Sequence, residues 1–267
     1  MLFFNKKNKK QKALEKELSL VIKKESQLKE KAIKAEIAKW QAELKNKVPE
    51  KVVQGLELAF NKAFSIVFTK GVGVIEKTYH REEIEKTYSI QNYAFQLRGS
   101  RKDLKQLKQN ANRSNRTNVA LTTIEGVALG TLGIGLPDII VFVGMLLKGI
   151  YQTALNYGFD YDSLDEQNFI LCMIEAALTK GPDFIMINEK VDEMIEGLPS
   201  IKEEMLKVQL QKTSNTFASD MLIMKFIQGF PIIGVIGGVA NPIYYNKIMN
   251  YVRLKYQKRY LMMKLKD

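Results

Sequence analysis

The chain has 267 residues and a mean hydropathy of −0.17, with 46% hydrophobic residues and a formal net charge of +12. This length fits one large domain or two small ones with a sizeable core, and the hydropathy excludes a protein with many membrane spans. The single His and the single Cys exclude His/Cys zinc clusters, paired redox cysteines and disulfides within the chain, so we predict no metal site and no cofactor.

The positive charge comes mainly from lysine. The chain has 41 Lys and Arg residues against 29 Asp and Glu, and only 7 of the 41 are Arg. Nucleic-acid readers rely on Arg, whose planar guanidinium binds phosphates and guanine edges through paired hydrogen bonds. A lysine-dominated excess favours an anionic membrane surface or an acidic partner and disfavours nucleic acid as a partner.

The first dozen residues are apolar and then strongly basic. Leu2, Phe3 and Phe4 precede a run of lysines that contains no acid: Lys6, Lys7, Lys9, Lys10 and Lys12. A secretory signal has the opposite order, with the charges before a longer apolar stretch. Together with the single cysteine, this order predicts a protein of the reducing cytoplasm. The five lysines are candidates for contact with a membrane.

Residues 1–50 predict a long basic helical arm. No Gly or Pro interrupts residues 8–47, where the good helix formers Ala, Glu, Lys and Leu dominate. Two apolar stripes, rotated relative to each other, consist of Leu14, Leu18, Val21 and Leu28, and of Ile33, Ile37, Trp40 and Leu44. We therefore predict a kinked or curved arm that protrudes from an all-helical domain over residues 51–267.

The rest of the chain predicts further helices and no strands. Helix boundaries are marked by Pro49, by the Gly99 break, and by capping boxes that begin at Ser163, Ser200 and, more loosely, Ser100. No run of alternating β-branched residues with hairpin turn signals is present in the sequence. The predicted fold class is all-α, a helical bundle with the long basic N-terminal helical arm and two Gly-rich hydrophobic helical segments.

These two Gly-rich segments, residues 120–150 and 226–246, are apolar and broken by Pro. Each holds a GxxxG pair, which lets two helices approach closely. One interpretation is a pair of buried core helices, and the alternatives are a helical hairpin that dips into a bilayer and a true membrane span. The hairpin and packing candidates are Gly126, Gly130, Gly133, Gly135, Pro137, Asp138, Gly234 and Gly238.

Two carboxylates lie within the first Gly-rich segment. Glu125 and Asp138 are conceivable as the acid/base pair of a hydrolase if both reach one pocket. The structural alternative places Asp138 in the first turn of a helix and pairs Glu125 with Arg113 or Arg116. We favour the structural alternative and predict no catalytic residue.

A second acidic cluster, at residues 160–166, resembles a calcium-binding loop. It departs from that pattern because Leu164 occupies a ligand position and Asp165 replaces the required Gly. We predict a helix-capping loop here. Cys172 lies on an apolar helical face, which predicts an inert buried thiol instead of a catalytic dyad with His80.

Two further basic clusters follow the N-terminal one, at residues 98–116 and 247–266. The first of these carries seven basic residues and a single acid, Asp103. Its arginines join the N-terminal lysines as candidates for membrane contact: Arg98, Arg101, Arg113 and Arg116.

Three segments, taken in order, resemble the EcsC protein family. They are TTIEGVALGTLGIGLPD, then YGFDYDSLDE, then GFPIIGVIGGVANPIYYNKI, which precedes a basic terminal helix with several Tyr residues. The resemblance covers approximately residue 51 to the C-terminus and implies a mostly helical protein without an established activity or catalytic residues. The family's namesake is encoded beside subunits of an ABC transport system, which implies a location at the inner membrane face.

The sequence therefore predicts a non-catalytic helical protein, peripheral on the cytoplasmic face of the cell membrane, whose three basic clusters meet anionic lipid. A soluble adaptor that docks on an acidic partner or on a membrane protein is the alternative hypothesis. The hydrolase that would use Asp138 and Glu125 is the third.

Overall fold

The computed structural model describes residues 2–34, 48–113, 136–227 and 240–267, and within these ranges it contains ten α-helices and no strand. The helices are α1 Leu2–Lys34, α2 Glu50–Ile66, α3 Val72–Glu76, α4 Arg81–Arg98, α5 Arg101–Arg113, α6 Leu136–Asn156, α7 Leu164–Leu178, α8 Gly181–Glu196, α9 Glu203–Ile227 and α10 Ala240–Lys266. A π-helical turn, Val67–Gly71, joins α2 to α3. The prediction of an all-α fold is confirmed.

Helices α6 and α7 form the centre of the core. Almost every residue from Ile139 to Tyr157 is buried, and so is the run from Phe169 to Ile174. Aromatic rings from three helices meet beside α6, where Phe217 of α9 lies 4.4 Å from Phe60 and 5.7 Å from Phe142, measured between ring centroids. Each buried large apolar side chain stabilises the fold by about 1.5–3 kcal/mol, so this centre holds the surrounding helices in place.

Helix α6 contains the part of the first Gly-rich segment that the structure describes. Its Ile139–Asn156 stretch is the one candidate membrane span among the described residues, by length and hydropathy, and 89% of it is buried against the rest of the protein. Residues 139–150 therefore follow the buried-core interpretation. The candidate glycines of this segment, Gly126, Gly130, Gly133 and Gly135, lie outside the described residues.

The predicted capping signals have mixed outcomes. Ser163 accepts a hydrogen bond from the backbone N–H of Glu166 at 3.1 Å and begins α7 as predicted. The Ser100 hydroxyl accepts from the N–H of Lys102 at 3.2 Å. The box at Ser200 is wrong, because α9 begins at Glu203, two residues later than the first helical residue that a Ser200 cap would give.

Helix α1 packs along the bundle and does not protrude from it. Leu14 and Val21 are each 1% exposed, and Leu18 and Leu28 pack against the same core, so the first predicted stripe is confirmed. Two acids of the helix, Glu17 and Glu25, are buried as well. The sequence-based expectation of a protruding arm is therefore wrong, because buried side chains tie α1 to the rest of the fold. The domain division at residue 50 stays a prediction.

Candidate functional site

Most basic residues of α10 are paired with carboxylates inside the protein. The Nζ of Lys247 lies 2.8 Å from Oδ2 of Asp220, and the Nη1 of Arg259 lies 2.7 Å from Oε2 of Glu166. Both of these carboxylates are buried. The expected contact of residues 247–266 with anionic lipid stays a prediction, but most of their charges balance acids within the fold.

A buried ionic network joins α10 to α1 and α8. Lys255 is fully buried and contacts both Glu25 and Asp192, the latter at 2.6 Å. Lys258 lies 2.7 Å from Oε2 of Glu25 and 2.8 Å from Oδ1 of Asp192. Burial by itself raises the pKa of Glu25, but the two ammonium groups outweigh burial and hold that pKa at about 2. The network therefore anchors the second half of α1.

Two of the predicted membrane contacts are also paired within the protein. The Nη2 of Arg98 lies 2.5 Å from Oδ1 of Asp103. Arg101 donates two hydrogen bonds to Oε1 of Glu17, which is 3% exposed. The charges of both arginines are therefore balanced locally, and an unbalanced positive surface has to come from other residues.

The N-terminal lysines lie next to the corner between α4 and α5. Lys10 donates a hydrogen bond to Oε1 of Gln96 at 2.6 Å. Gly99, which ends α4 at a φ of +57°, approaches the backbone of Lys10 so closely that a Cβ on it would lie 3.0 Å from the Lys10 Cα. The first two predicted basic clusters therefore adjoin each other in space.

The remaining membrane-contact candidates divide into exposed and undescribed residues. Lys7, Lys9 and Lys12 are exposed along α1, and Arg113 is exposed at the end of α5. The side chain of Lys6 and the whole of Arg116 lie outside the described residues.

A cavity of about 610 Å³ lies between α1, α5 and α10, and we call it the basic cavity. Its lining residues are Lys24, Gln27, Leu28, Lys31, Lys108, Asn112, Tyr157, Tyr245, Asn246, Asn250, Arg253, Leu254 and Gln257. No Asp or Glu is among them. The cavity therefore combines positive charge with amide and phenol groups.

Helical periodicity brings these residues to one place. Lys24, Gln27 and Lys31 follow each other at intervals of three and four, which places them on one face of α1. Asn250 and Arg253 of α10 obey the same spacing. Each of the three helices thus presents one polar stripe to the cavity, and its opposite face packs against the core.

Like charges face each other across the basic cavity. Partial burial lowers the pKa of Lys108, the adjacent positive charge of Lys24 lowers it further, and the more distant Glu17 opposes both effects. Among the described residues, no carboxylate forms an ion pair with Lys24, Lys31 or Lys108. The described residues therefore provide no carboxylate partner for these three lysines.

The chemistry that the cavity offers is binding. Burial raises the pKa of Tyr157, and the positive charge of Arg253 only partly opposes this, so the phenol stays protonated and can donate a hydrogen bond. None of the lining residues is a carboxylate, His or Cys, the groups that most often serve as general base or nucleophile. The cavity is suited to hold an anion.

The acidic loop that resembles a calcium site binds an arginine. Four carboxylates surround the Arg81 guanidinium at 2.8 to 3.2 Å: Glu76, Glu85, Asp160 and Asp162. The hydroxyl of Tyr161, between the two aspartates, donates to Glu76 at 2.5 Å. The described residues contain no group of three or more side chains arranged to hold a metal ion. This loop therefore fastens α6 and α7 to the start of α4.

The Cys/His dyad does not form. Cys172 is fully buried, and burial raises the pKa of its thiol to about 11. His80 is exposed just before α4. The predicted burial of the thiol is confirmed, and its lack of reactivity stays a prediction.

Several predicted residues cannot be placed. Glu125, Gly126, Gly130, Gly133, Gly135, Gly234 and Gly238 lie outside the described residues. The backbone of Pro137 and Asp138 belongs to the first turn of α6, as the structural alternative expects. The helical hairpin and the hydrolase pair of Asp138 with Glu125 stay predictions.

Sequence reasoning missed the lysines of the basic cavity. Lys24 and Lys31 are seven residues apart and so share a helix face, which is the one signal available in the sequence. The same spacing occurs on any solvated helix, and Lys108 lies 77 residues beyond Lys31. Only the packing of α1 against α5 brings them together.

Comparison with known proteins places the chain in a family. The model of the EcsC protein family matches residues 12–261, nearly the whole chain. The match begins within α1, much earlier than the start near residue 51 that the resemblance predicts. No curated protein matches the chain, and no solved structure matches it.

Proposed function

Because this chain belongs to the EcsC protein family, we propose for it a non-catalytic role as a peripheral protein on the anionic, cytoplasmic face of the cell membrane. The observation that carries the proposal is the set of lysines on α1 and α5 that have no carboxylate partner among the described residues. A role accessory to a transport system would follow from the family resemblance alone.

The exposed lysines near the start of α1 provide the electrostatic part of the interaction. Lys7, Lys9 and Lys12 form no ion pair with any described residue, and the first turn of α1 contains no acid. Each Lys near an anionic bilayer contributes about 1 kcal/mol at physiological salt. Three such residues account for an affinity gain of roughly a hundredfold over a neutral surface.

An apolar stripe on α4, beside these lysines, provides the apolar part of the interaction with the membrane. Ile90, Tyr93 and Leu97 are 60%, 65% and 52% exposed, and their spacing places them on one face of α4. Gln96, on the neighbouring face of α4, holds Lys10 of α1. A helix face with exposed apolar residues next to lysines is typical of proteins that lie in the membrane interface.

Sedimentation with lipid vesicles tests the proposal. We expect the full chain to sediment with vesicles of phosphatidylglycerol and phosphatidylcholine but poorly with pure phosphatidylcholine. The triple variant Lys7→Glu, Lys9→Glu, Lys12→Glu should bind the anionic vesicles at least tenfold more weakly. The matched control is Lys202→Glu, Lys207→Glu, Lys212→Glu, which changes the net charge equally at exposed positions near and along α9.

Three results would contradict the proposal. Equal binding to neutral and anionic vesicles would remove the electrostatic mechanism. Equal losses in the two triple variants would remove the assignment to α1. Binding to neither kind of vesicle would favour the soluble adaptor that docks on an acidic partner or a membrane protein.

A further inference from the structure

We propose that the basic cavity is a specific binding site for a phosphate monoester, carried by a phosphorylated polyol or by the headgroup of a lipid. This goes beyond peripheral association, which requires only the outer surface of α1 and α4. Charge, hydrogen-bonding groups and shape support it.

The charge balance of the cavity differs from that of the ionic network in the interior. Lys255, Lys258 and Arg259 are buried or half-buried and have carboxylate partners. In the cavity, Lys24, Lys31 and Lys108 have none among the described residues, and Lys24 repels Lys108. Lys24 and Lys31 are exposed and Lys108 is half-buried, so the repulsion acts mainly on Lys108, and a bound dianion would convert it into attraction.

Three amide side chains that line the cavity make no side-chain hydrogen bond within the described part of the chain. Gln257 is 6% exposed and lines the cavity, yet its amide makes no hydrogen bond to any described residue. Asn112 and Asn250 line the same space and make no side-chain hydrogen bond to a described residue either. Each amide offers two N–H donors and one oxygen acceptor, so the three side chains can hydrogen-bond to a polar ligand in the cavity.

The cations approach the cavity from three directions. Lys24 comes from α1, Lys108 from α5 and Arg253 from α10. A phosphate monoester has three terminal oxygens and about two negative charges, so it can accept from all three sides at once. A carboxylate has two oxygens and one charge. The arrangement therefore favours phosphate over carboxylate.

The volume indicates that the ligand is larger than a free phosphate ion. At about 610 Å³, the cavity is in the range of small-molecule sites. Its amides and the phenol of Tyr157 match the hydroxyl groups of a polyol, and only Leu28 and Leu254 are aliphatic. A glycerol or inositol unit attached to the phosphate would fit these groups.

Calorimetry with sn-glycerol 3-phosphate tests the site directly. We expect saturable binding by the full chain, and glycerol without phosphate should not bind. The double variant Lys24→Gln, Lys108→Gln should bind at least tenfold more weakly. The control Lys102→Gln, Lys105→Gln removes the same charge from exposed positions of α5 and should change the affinity less than twofold.

The melting temperature of the double variant without ligand provides a second test of the proposal. Because it removes two repelling charges, its melting temperature without ligand should be equal to or higher than that of the wild type. The single variant Lys108→Gln should show the same direction, so lost binding cannot be attributed to misfolding. A lower melting temperature in both variants would contradict the repulsion on which the proposal depends.

Vesicles with phosphatidic acid distinguish the two sources of the phosphate. If the Lys24/Lys108 variant loses binding to these vesicles but keeps its binding to phosphatidylglycerol vesicles, the cavity holds a lipid headgroup. If it loses only sn-glycerol 3-phosphate, the ligand is soluble. Identical behaviour of the variant and the wild type towards both probes would overturn the proposal, whatever the outcome for peripheral binding.

Discussion

Arg101 and Glu17 fix the alignment of α5 against α1. The guanidinium donates two hydrogen bonds to Oε1 of Glu17, from Nε at 2.8 Å and from Nη2 at 2.6 Å. Seven residues, or two helical turns, later in each helix come Lys24 and Lys108, the facing lysines of the basic cavity. The two helices therefore run parallel. The ion pair between Arg101 and Glu17 fixes the relative positions of Lys24 and Lys108, which have no carboxylate partner among the described residues.

Glu17→Gln should loosen this alignment. The substitution leaves Arg101 without its carboxylate next to a buried position, and we expect a loss of about 2 kcal/mol in the free energy of unfolding, measured in urea. Glu15→Gln, at an exposed position two residues away, should change it by less than about 0.5 kcal/mol. Equal stabilities of the two variants would show that the pair does not hold α1 to α5.

Gly99→Ala should destabilise the corner where α1 meets α4 and α5. The left-handed backbone at Gly99 disfavours any Cβ by about 1–2 kcal/mol, and this Cβ would also press on Lys10. Gly181→Ala is the matched control, because Gly181 has a φ of +66° but open space around it. We expect Gly99→Ala to cost about 1 kcal/mol more than Gly181→Ala in thermal unfolding. Equal costs would mean that the contact with α1 does not contribute.

Glu25 should make stability sensitive to acid. Its pKa is about 2 in the folded protein and 4.5 in the unfolded chain, so its contribution is complete above pH 4.5 and is lost as the pH falls towards 2. That difference corresponds to about 3 kcal/mol at neutral pH. Glu25→Gln should therefore be less stable than the wild type at pH 7, and the gap should close between about pH 4.5 and 2. A difference in the free energy of unfolding that stays constant over this pH range would refute the low pKa of Glu25.

Local sequence features identified the helices and the faces that enter the core. The stripe of Leu14, Val21 and Leu28 and the cap at Ser163 depend on neighbours within one or two turns, so spacing alone is sufficient to find them. The family resemblance adds the order of the segments. It does not indicate that the matched region begins within α1.

The sequence does not predict which charged side chains form ion pairs in the interior and which face solvent. Lys255 and Glu25 are 230 residues apart, and nothing in α10 distinguishes a lysine that is paired in the interior from one on a solvated face. The basic cavity has the same difficulty, since its residues come from α1, α5, α10 and the end of α6. Ion pairs between distant helices depend on packing, which a single sequence does not specify.

The apolar stripe on α4 should contribute to vesicle binding without contributing to stability. Tyr93 and Leu97 are more than half exposed, so Tyr93→Ser, Leu97→Ser should change the free energy of unfolding by less than about 0.5 kcal/mol. Binding to phosphatidylglycerol vesicles should fall at least threefold. Met205→Ser, Val208→Ser is the control, with similar exposure on α9, and should leave binding unchanged. Equal binding by both variants would remove the stripe from the membrane contact.

Extraction of the full chain from the membranes of its own cells tests peripheral association most directly. We predict that the protein sediments with membranes at low salt and is released in 1 M salt, where the Debye length falls to about 3 Å and the attraction of Lys7, Lys9 and Lys12 to anionic lipid is screened. Recovery in the soluble fraction at low salt, or retention on the membrane through both salt and carbonate, would contradict it.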